Sequence, residues 1–473
     1  MRSVISLIGL LFLFASTSWS QKSWTLEECI HYGLEHSFTI RQYGIAEEQA
    51  SLDLKTSTHQ RYPNLSLSSS LTYNVGRSID PTTNSFLAES FLSNGVSLSS
   101  GIVLFNGLQI SNTIKRAGMN QKAAQEDTKQ IERDLAMNIS RAYMAVLFAI
   151  ENLELAENQY NSTKSQLDKL LQLIEAGSSP VAVKYDLEAQ LALDEQNIVI
   201  RQNDLDKTYL DLKILMRYEE AEGFVISVPF TDGLEINDPE SWSVDELYVS
   251  SIDNQPAIEA GEYRLKSAQL GEKIAAAGFY PSLSLGGALS TNYSNRAQEI
   301  ANITPVVKYQ TFYINNSPVN VGYDDISYDL LPVNYFKQLK DNIGFGAGLQ
   351  FRVPIYSNYQ NKSQTAMAKL NVENSKINIE LEKQRLRSTI QSALASVISA
   401  KKQLDAARKT ARAMQVSYEQ ASVRFEIGHM NSYEFLETKT KLDRANTSLL
   451  MARYEYIFNL KVLDFYRGLP LKF

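Results

Sequence analysis

Two acidic residues, Glu434 and Glu437, stand out among the side chains of the 473-residue sequence that could do chemistry. They are three residues apart in a stretch with helical periodicity, so both carboxylates share one helix face. Such a pair can exchange protons in hydrolysis, or form rings of charge that attract cations at a pore. The third interpretation is an ordinary solvated charged face. The elements predicted around the pair are needed to distinguish the three interpretations.

The rest of the sequence offers little support for an enzyme. It has no Walker-type phosphate loop, no His-Glu-x-x-His, no Cys-x-x-Cys and no Gly-x-Ser-x-Gly. The four histidines are dispersed, at His31, His36, His59 and His429, and the one cysteine excludes a disulfide framework. We therefore predict no catalysis, no cofactor and no metal site, and keep a hydrolase that uses Glu434 and Glu437 as a remote alternative.

Charge and hydrophobicity narrow the class of protein further. The 46 Lys+Arg and 53 Asp+Glu give a net charge of −7 without any basic stretch, which argues against a nucleic-acid partner. Hydrophobic residues make up 44% of the chain and charged residues only 21%, a composition that disfavours disorder.

Residues 1–20 have the features of a secretory signal peptide. Arg2 is followed by an apolar run from Val4 to Ala15, and Ser18 and Ser20 are small residues before the expected cut. No later stretch has 18 consecutive apolar residues, so the mature chain is expected to leave the cytoplasm without a transmembrane helix. Cys29 lies in a helical pattern beyond the cut, and we predict that it is a small core residue.

The mature sequence is an internal duplication. Trp24 matches Trp242 and Tyr62-Pro63 matches Tyr280-Pro281, both at a separation of 218, whereas Gly177 matches Gly428 at a separation of 251. The second copy therefore contains 33 extra residues, which must lie between Pro281 and Tyr356. The predicted repeats are 21–217 and 242–473, joined by a connector rich in turn residues at 218–241.

Each copy is predicted to be mainly α with a small β part. The expected order is a helix, a strand hairpin and a long antiparallel helical hairpin. These elements are predicted at 25–60, 63–106 and 108–217 in the first copy, and at 243–278, 281–355 and 359–466 in the second.

The predicted strands alternate as membrane strands do. In 343–353, apolar residues share one face and Gly344, Gly346 and Gly348 share the other. The predicted lipid-facing residues are Leu65, Leu67, Leu98, Leu285, Phe345, Leu349 and Phe351. A soluble half-buried sheet is the alternative. Four strands cannot close a barrel, and lipid tolerates no open sheet edge, so membrane strands would have to be pooled, twelve from three chains.

The long helices have a heptad-like apolar rhythm. In the second copy it runs through Ile390, Leu394, Val397 and Leu404, with alanines farther along. About 70 residues at 1.5 Å each give a length of ~100 Å, so the turns at Gly177 and Gly428 are expected far from the strands. A coiled-coil spacer or scaffold is the alternative interpretation.

With these features, the mature chain resembles the TolC family of outer-membrane efflux and secretion channels. The resemblance rests on the Trp24 and Trp242 helix starts, the Tyr-Pro strand entries and the segment Phe425-Glu-Ile-Gly428-His-Met-Asn-Ser-Tyr-Glu434-Phe-Leu-Glu437. It implies a homotrimer in the outer membrane of a Gram-negative-type bacterium, with a twelve-stranded barrel and a twelve-helix periplasmic tunnel. It also implies a passive exit channel for an inner-membrane RND or ABC transporter, reached through a periplasmic adaptor.

The resemblance also implies roles for residues at the helix tips. A periplasmic gate would comprise Glu434, Glu437, Phe425 and Met430, and the tips that dock the adaptor would comprise Gly177, Ser178, Gly428, His429 and Asn431. The basic and acidic residues that latch neighbouring hairpins in well-known members are replaced here by Met430 and Val183. We hypothesise instead that Phe425, Met430 and Tyr433 pack to hold the closed state.

The role of the extra residues is open. They fall in a Tyr-rich loop at 293–341, which is interpreted as extracellular. It would fold over the pore, meet a surface partner or, as the preferred interpretation, serve as surface decoration. The competing functions are a periplasmic adaptor and a secreted coiled-coil protein without a pore. An adaptor would have a single helical hairpin flanked by soluble β-domains, which this duplicated pattern does not match.

Overall fold

The computed structural model describes residues 23–82, 84–87, 90–178, 180–219, 223–228 and 239–469. The predicted signal peptide and part of the predicted connector lie outside these residues. No helix among the described residues is both long enough and apolar enough to cross a membrane.

Helices dominate the chain. The two longest, α3 and α8, have 67 residues each, and the helices that return from them, α4 and α9, have 35 residues each. The α-helices are α1 Leu26–His36, α2 Phe38–His59, α3 Gln109–Glu175, α4 Ala182–Met216, α5 Val244–Ile252, α6 Pro256–Ala276, α7 Tyr335–Asp341, α8 Gln360–Glu426 and α9 Ser432–Tyr466.

The strands are fewer and concentrated in two stretches of the sequence. Single 3₁₀ turns lie at Pro239–Ser241 and Ala277–Phe279. The strands are β1 Ser23–Trp24, β2 Asn64–Asn74, β3 Ser78–Ile79, β4 Phe86–Leu87, β5 Phe91–Asn106, β6 Val225–Ile226, β7 Ser282–Ser294, β8 Gln298–Ile314, β9 Ser317–Pro332 and β10 Gly344–Arg352.

Corresponding elements of the two halves begin at constant separations. Helices α1 and α5, helices α2 and α6, and strands β2 and β7 each start 218 residues apart. Helices α3 and α8 both start and end 251 residues apart. The offsets read from the sequence therefore reappear as offsets between elements of the same type.

The single first helix predicted in each copy is wrong, because each is divided in two. Ser37 lies between α1 and α2 with an extended backbone (φ −70°, ψ 122°), and its Oγ accepts a hydrogen bond from the Ile40 amide. In the second half, α6 begins at Pro256, a residue without the amide proton that a continuous helix needs. A serine cap and a proline thus produce the same break by different means.

The described chain divides into two compact units. The first comprises the described residues within 23–50, 119–265 and 374–469. One of its apolar cores surrounds Tyr143, whose hydroxyl donates to the carbonyl oxygens of Trp24 (3.2 Å) and Ser227 (2.5 Å). Phe224 and Ile226, from the predicted connector, are buried in the same core. The connector therefore contributes to the packing of the first unit.

The predicted helical seam of the second half is confirmed as a buried stripe. Ile390 and Val397 are fully buried, Leu394 is 5% exposed and Leu404 is 2% exposed. They pack with residues of α5, α6 and α9 to form a second apolar core. Apolar residues three and four apart form one helix face, so this core extends along the helix.

The second unit, Ser51–Gly118 and Lys266–Glu373, contains a four-stranded antiparallel sheet in the order β10-β7-β5-β2. Its cross-strand register aligns apolar residues in rows. One row runs Leu67, Leu98, Leu289 and Phe345, and a second contains Ile102, Leu285 and Leu349. Phe345 is 90% exposed, so this face is apolar and uncovered on its edge strand.

The opposite face of the same sheet carries small and polar residues. Ser68, Ser97, Ser290 and Gly344 form one cross-strand row. A neighbouring row contains Ser66, Ser99, Ala288 and Gly346. The two faces therefore differ in chemistry across all four strands, as the alternation in the sequence predicts.

The prediction of a loop at 293–341 is wrong for its secondary structure. Strands β8 and β9 pair from Gln298↔Pro332 to Ile314↔Ser317, and α7 follows them. Asn315 and Asn316 both have positive φ (49° and 61°), as a two-residue hairpin turn requires. The 33 extra residues thus build an ordered two-stranded hairpin.

Cys29 should be chemically inert in the folded protein. It is completely buried, and burial, followed by the charge of Glu28, raises the pKa of its thiol to about 12. Because the thiolate is the reactive form, we expect alkylation by a maleimide to be at least about a hundredfold slower than for an exposed cysteine. Mass spectrometry of the native protein should find Cys29 unmodified, and the guanidinium-unfolded protein is the positive control. Rapid labelling of the native protein would contradict the prediction.

Candidate functional site at the helix tips

The two helical hairpins turn in the same way. Gly177 (φ +72°) and Gly428 (φ +77°) follow α3 and α8 in the left-handed region that glycine adopts without strain. The amides of Gly177 and Ser178 donate to the carbonyls of Ile174 and Leu173. Gly428 and His429 repeat this pattern on Phe425 and Arg424. Both turns are Schellman motifs, so the glycines have a structural reason to be there.

The residues predicted to dock a partner lie at the surface. A Cβ added to Gly177 or Gly428 would meet no atom within 4 Å, and Ser178 and His429 are exposed. Asn431 has a further task, because its Oδ1 accepts a hydrogen bond from the Glu434 amide (2.9 Å) and caps α9. The turns thus present an open surface on well-capped helix ends.

Both predicted gate carboxylates are exposed. Glu434 lies in the first turn of α9, where a negative charge interacts favourably with the helix dipole. Glu437 lies one turn further along and pairs with Lys441 (2.7 Å, Oε1 to Nζ). Within one chain, the two carboxylates therefore lie on an accessible helix face, and Lys441 pairs with Glu437.

Aromatic side chains pack on one another near the tip of the second hairpin. Phe425 stacks on Phe435, with ring centroids 4.6 Å apart and planes inclined by 9°. Phe435 is 1% exposed and lies 5.9 Å from the ring of Tyr418, whereas Tyr433 is 76% exposed. Phe425 is thus anchored in this chain by Phe435, a residue that no pattern in the sequence singled out.

The two hairpins also contact each other. The Ser432 hydroxyl at the start of α9 donates to Asp186 on α4 (2.6 Å), and Lys169 pairs with Glu426 (3.1 Å). Val183 packs in an apolar cluster with Leu187 and Leu436. Val183 therefore contributes to apolar contact between the two hairpins.

A buried ionic cluster lies deeper between the hairpins. Lys439 is 2% exposed, and its Nζ lies 2.8 Å from Asp443 Oδ2 and 3.5 Å from Asp194 Oδ2. Asp194 also accepts hydrogen bonds from Thr163 and from Gln190 (2.8 Å). We call Asp194, Lys439 and Asp443 the charge cluster. It joins the returning helix of the first hairpin to that of the second.

The charge cluster holds two carboxylates for one ammonium group. Burial raises the pKa of Asp443; Lys439 opposes this, and the charge of Asp194 adds to it. The spacing of Lys439 and Asp443 in one helix is visible in the sequence as an i, i+4 pair. Asp194 is 245 residues away from Lys439, so no local signal could have placed it there.

In the part of the chain that the structure describes, no group of three or more His, Cys, Asp or Glu is arranged to hold a metal ion. What the tips combine is a pair of open turns, exposed carboxylates and a network of contacts between helices.

Long helical hairpins with such tips, together with a sheet that has one apolar and one Ser/Gly-rich face, define the class of outer-membrane channel subunits. A family model described as outer membrane efflux protein matches residues 30–216 and 247–468. The chain belongs to that family, and it functions in the outer membrane as an exit channel for efflux.

Named relatives agree with this assignment. The chain is 23% identical over 351 residues to the probable outer membrane lipoprotein SilC of Salmonella typhimurium, covering 71% of this chain and 73% of SilC. It is 21% identical over 418 residues to the outer membrane protein TolC of Vibrio cholerae, covering 88% and 84%. The crystal structure of CusC has the same fold, with a TM-score of 0.74 at 17% identity over 94% of this chain and 92% of that one.

The buried Lys439 and the exposed Lys441 should contribute very differently to stability. Lys439→Met leaves two carboxylates without their buried partner and should cost about 3–5 kcal/mol of stability. Lys441→Met is the matched control, because it removes an exposed pair on the same helix and should cost at most about 1 kcal/mol. Unfolding of the detergent-solubilised protein measures both. Equal stability of the two variants would contradict a stabilising role for Lys439.

The pH dependence of stability should identify Asp443. Its folded pKa is raised, so the folded state binds its proton more tightly than the unfolded state does. That contribution is complete below the unfolded pKa and is lost as pH rises through the folded pKa. Asp443→Asn should therefore flatten the stability profile in this acidic window and keep the Lys439–Asp194 pair. An unchanged profile would show that Asp443 does not titrate with folding.

Proposed function

We propose that three copies pool their four-stranded sheets into a twelve-stranded barrel in the outer membrane. The observation that carries this proposal is the apolar face that runs across all four strands, with Ser and Gly opposite. In the described residues, β10 and β2 are the edges of the sheet and pair on one side only. Hydrocarbon cannot satisfy the open edges, so β10 of one copy would pair with β2 of the next.

The helical hairpins would then continue the barrel as a twelve-helix tunnel in the periplasm. Substrates would pass through it without energy input from this protein, delivered by an inner-membrane RND or ABC transporter. A periplasmic adaptor would bind the tips around Gly177 and Gly428, whose turns are open to solvent. The exposed carboxylates of Glu434 and Glu437 would form rings of charge at the tunnel mouth.

Opening of the tunnel would separate the tips. The Ser432–Asp186 hydrogen bond and the Lys169–Glu426 ion pair link the two hairpins of one chain, so these hairpins are expected to move together. The charge cluster would keep the deeper part of the contact in register. The movement would therefore occur between copies, as a shift between two helix packings.

The competing functions are a periplasmic adaptor and a secreted coiled-coil protein without a pore. Either would bury the apolar face of the sheet within its own chain. Phe345, Leu67 and Leu349 are instead at least 67% exposed. A trimeric channel embedded in lipid gives those side chains a partner, which the alternatives do not.

Lysine substitutions on adjacent residues of β10 test the membrane orientation. Phe345→Lys places a charge on the apolar face, where it should cost about 2–4 kcal/mol near the bilayer midplane. Gly346→Lys, the matched control, places it on the Ser/Gly face, where an added Cβ meets no atom within 4 Å. Heat-modifiable trimers in the outer-membrane fraction should be lost only in Phe345→Lys, and stepwise conductance should persist in Gly346→Lys. A soluble monomer in the wild type would refute the channel itself.

The closed state should depend on Phe425. Its stacking on buried Phe435 holds the end of α8 against α9, so Phe425→Ala should loosen the tip and raise the closed-state current in planar bilayers. Tyr433→Ala removes an exposed ring from the same tip and serves as the control. If the closed-state current of Phe425→Ala equals that of the wild type, Phe425 has no part in closure.

A further inference from the structure

A cleft of about 1020 Å³ lies on the Ser/Gly face of the four-stranded sheet, at the end of the sheet that adjoins the helices. Strands β2, β5, β7 and β10 form its floor, and the end of α2 and the start of α3 form its walls. Every lining residue belongs to the second unit, so one chain builds the cleft by itself. Pockets that bind drug-sized ligands have volumes of roughly 300–1,000 Å³, so the cleft has room for one.

Three glycines form the floor of the cleft in one cross-strand row. Gly101 pairs with Gly286 and Gly286 with Gly348, while Asn64 continues the row on β2. None of the three glycines has a positive φ, and a Cβ on Gly348 would meet no atom within 4 Å. Glycine inside a strand often marks a place where a ligand approaches the backbone closely. The row therefore leaves both space and bare backbone for a ligand.

The lining of the cleft is polar but uncharged. Among the described residues, no Asp, Glu, Lys or Arg lines it, although 21% of the residues in the chain are charged. Arg61 and Arg352 lie within two residues of the lining in sequence, but neither belongs to it. An ion in the cleft would lose hydration without meeting an opposite charge, whereas a neutral solute would exchange its water for polar groups. These include five carboxamides and an imidazole, those of Gln60, Asn64, Asn106, Gln109, Gln350 and His59.

Hydrogen bonds within the chain orient two of these groups. The Oδ1 atom of Asn64 accepts from the Gly101 amide (2.7 Å), which leaves its Nδ2 atom as a donor. The Nδ1 atom of His59 lies 2.7 Å from the carbonyl oxygen of Lys55, which can only accept, so Nδ1 donates. In the neutral ring, Nε2 is then an acceptor. The cleft thus offers both donors and acceptors, which suits a hydroxyl group because a hydroxyl is both.

Tyr62 adds an aromatic surface beside these polar groups. It is 65% exposed, and its ring lies 5.6 Å from that of His59, with the two planes inclined by 51°. The negative face of an aromatic ring attracts polarised C–H groups. A sugar ring presents C–H groups on its faces and hydroxyl groups around its edge. The cleft therefore combines the two kinds of contact that a sugar ring can make.

We propose that the cleft binds the sugar rings of a neutral saccharide that passes through the channel. Stacking on Tyr62 and hydrogen bonds to the carboxamides would hold the saccharide against the glycine floor. This inference rests on the proposed trimer, in which the Ser/Gly face lines the lumen and each copy contributes one cleft. It assigns a class of cargo to the channel, namely hydroxyl-rich solutes without net charge.

Two glycines of β10 test the site as a matched pair. Gly348 and Gly346 lie on the same face of the strand, and at both a Cβ would meet no atom within 4 Å, but only Gly348 lines the cleft. Equilibrium dialysis of the detergent-solubilised protein with radiolabelled maltotriose measures binding. Gly348→Leu should weaken binding at least about tenfold, because its side chain occupies the floor, whereas Gly346→Leu should stay within about twofold of the wild type.

The ring of Tyr62 tests the contact with the sugar. Tyr62→Ala removes the stacking surface and should weaken maltotriose binding about fivefold, whereas Tyr62→Phe keeps the ring and should stay within about twofold of the wild type. Tyr73→Ala removes an equally exposed ring from the apolar face and is the control. Wild-type affinity in Tyr62→Ala would overturn the assignment of a saccharide.

A charged probe tests the requirement for a neutral solute. Trigalacturonate is a trisaccharide, as maltotriose is, but carries three negative charges. It should bind at least about tenfold more weakly than maltotriose, because the cleft offers no charge to replace its hydration. Equal or tighter binding of trigalacturonate would overturn the assignment of a neutral solute.

Conductance in planar bilayers separates this inference from the proposed function. Maltotriose should lower the single-channel current of the wild type and of Gly346→Leu, but not that of Gly348→Leu. A conducting trimer that does not bind maltotriose, or that binds it equally well in Gly348→Leu, overturns the cleft as a saccharide site and leaves the channel intact. A wild-type protein that is monomeric in light scattering refutes the proposed trimer first.

Discussion

Hydrocarbon offers no hydrogen-bond partners for unpaired backbone groups. This constraint bears directly on the four-stranded sheet of this chain. The four-stranded sheet satisfies its inner strands, but leaves β2 and β10 with one unpaired side each and an apolar face in the open. In lipid, the unpaired edges of such a sheet would have to pair with further strands. With four strands per chain instead of two, the three copies of the proposed trimer would supply the twelve strands of the proposed barrel.

The helical part solves a different problem, because water surrounds it. Its packing relies on buried stripes such as the one through Ile390 and Val397, whose apolar contacts are largely non-directional. Directional contacts restrict the sliding of one helix along another. The charge cluster links residues 194, 439 and 443 in one arrangement, and a helix moved by one turn would leave buried charge unpaired. Apolar burial thus supplies cohesion, while the polar contacts set the register.

Local periodicity made much of the fold predictable. The heptad rhythm, the alternation at Phe345 and the duplicated Gly177 and Gly428 are signals contained in short windows of sequence. What escaped prediction depends on distance or context: Ser37 interrupts a helix through its own backbone angles, Asp194 meets Lys439 only after folding, and Phe435 becomes the anchor of Phe425 only across a turn. The gate and docking roles of the tip residues remain predictions, because they concern contacts with other chains.

The two copies differ most in the segments between their long strands. Within the four-stranded sheet and along the helices, each element of one copy has a counterpart of the same type in the other. Between the strands, however, the first copy has the short β3–β4 hairpin and the second has the long β8–β9 hairpin. In a trimer, short and long hairpins would alternate around the ring, so a barrel that is nearly sixfold would have an outer end that is only threefold.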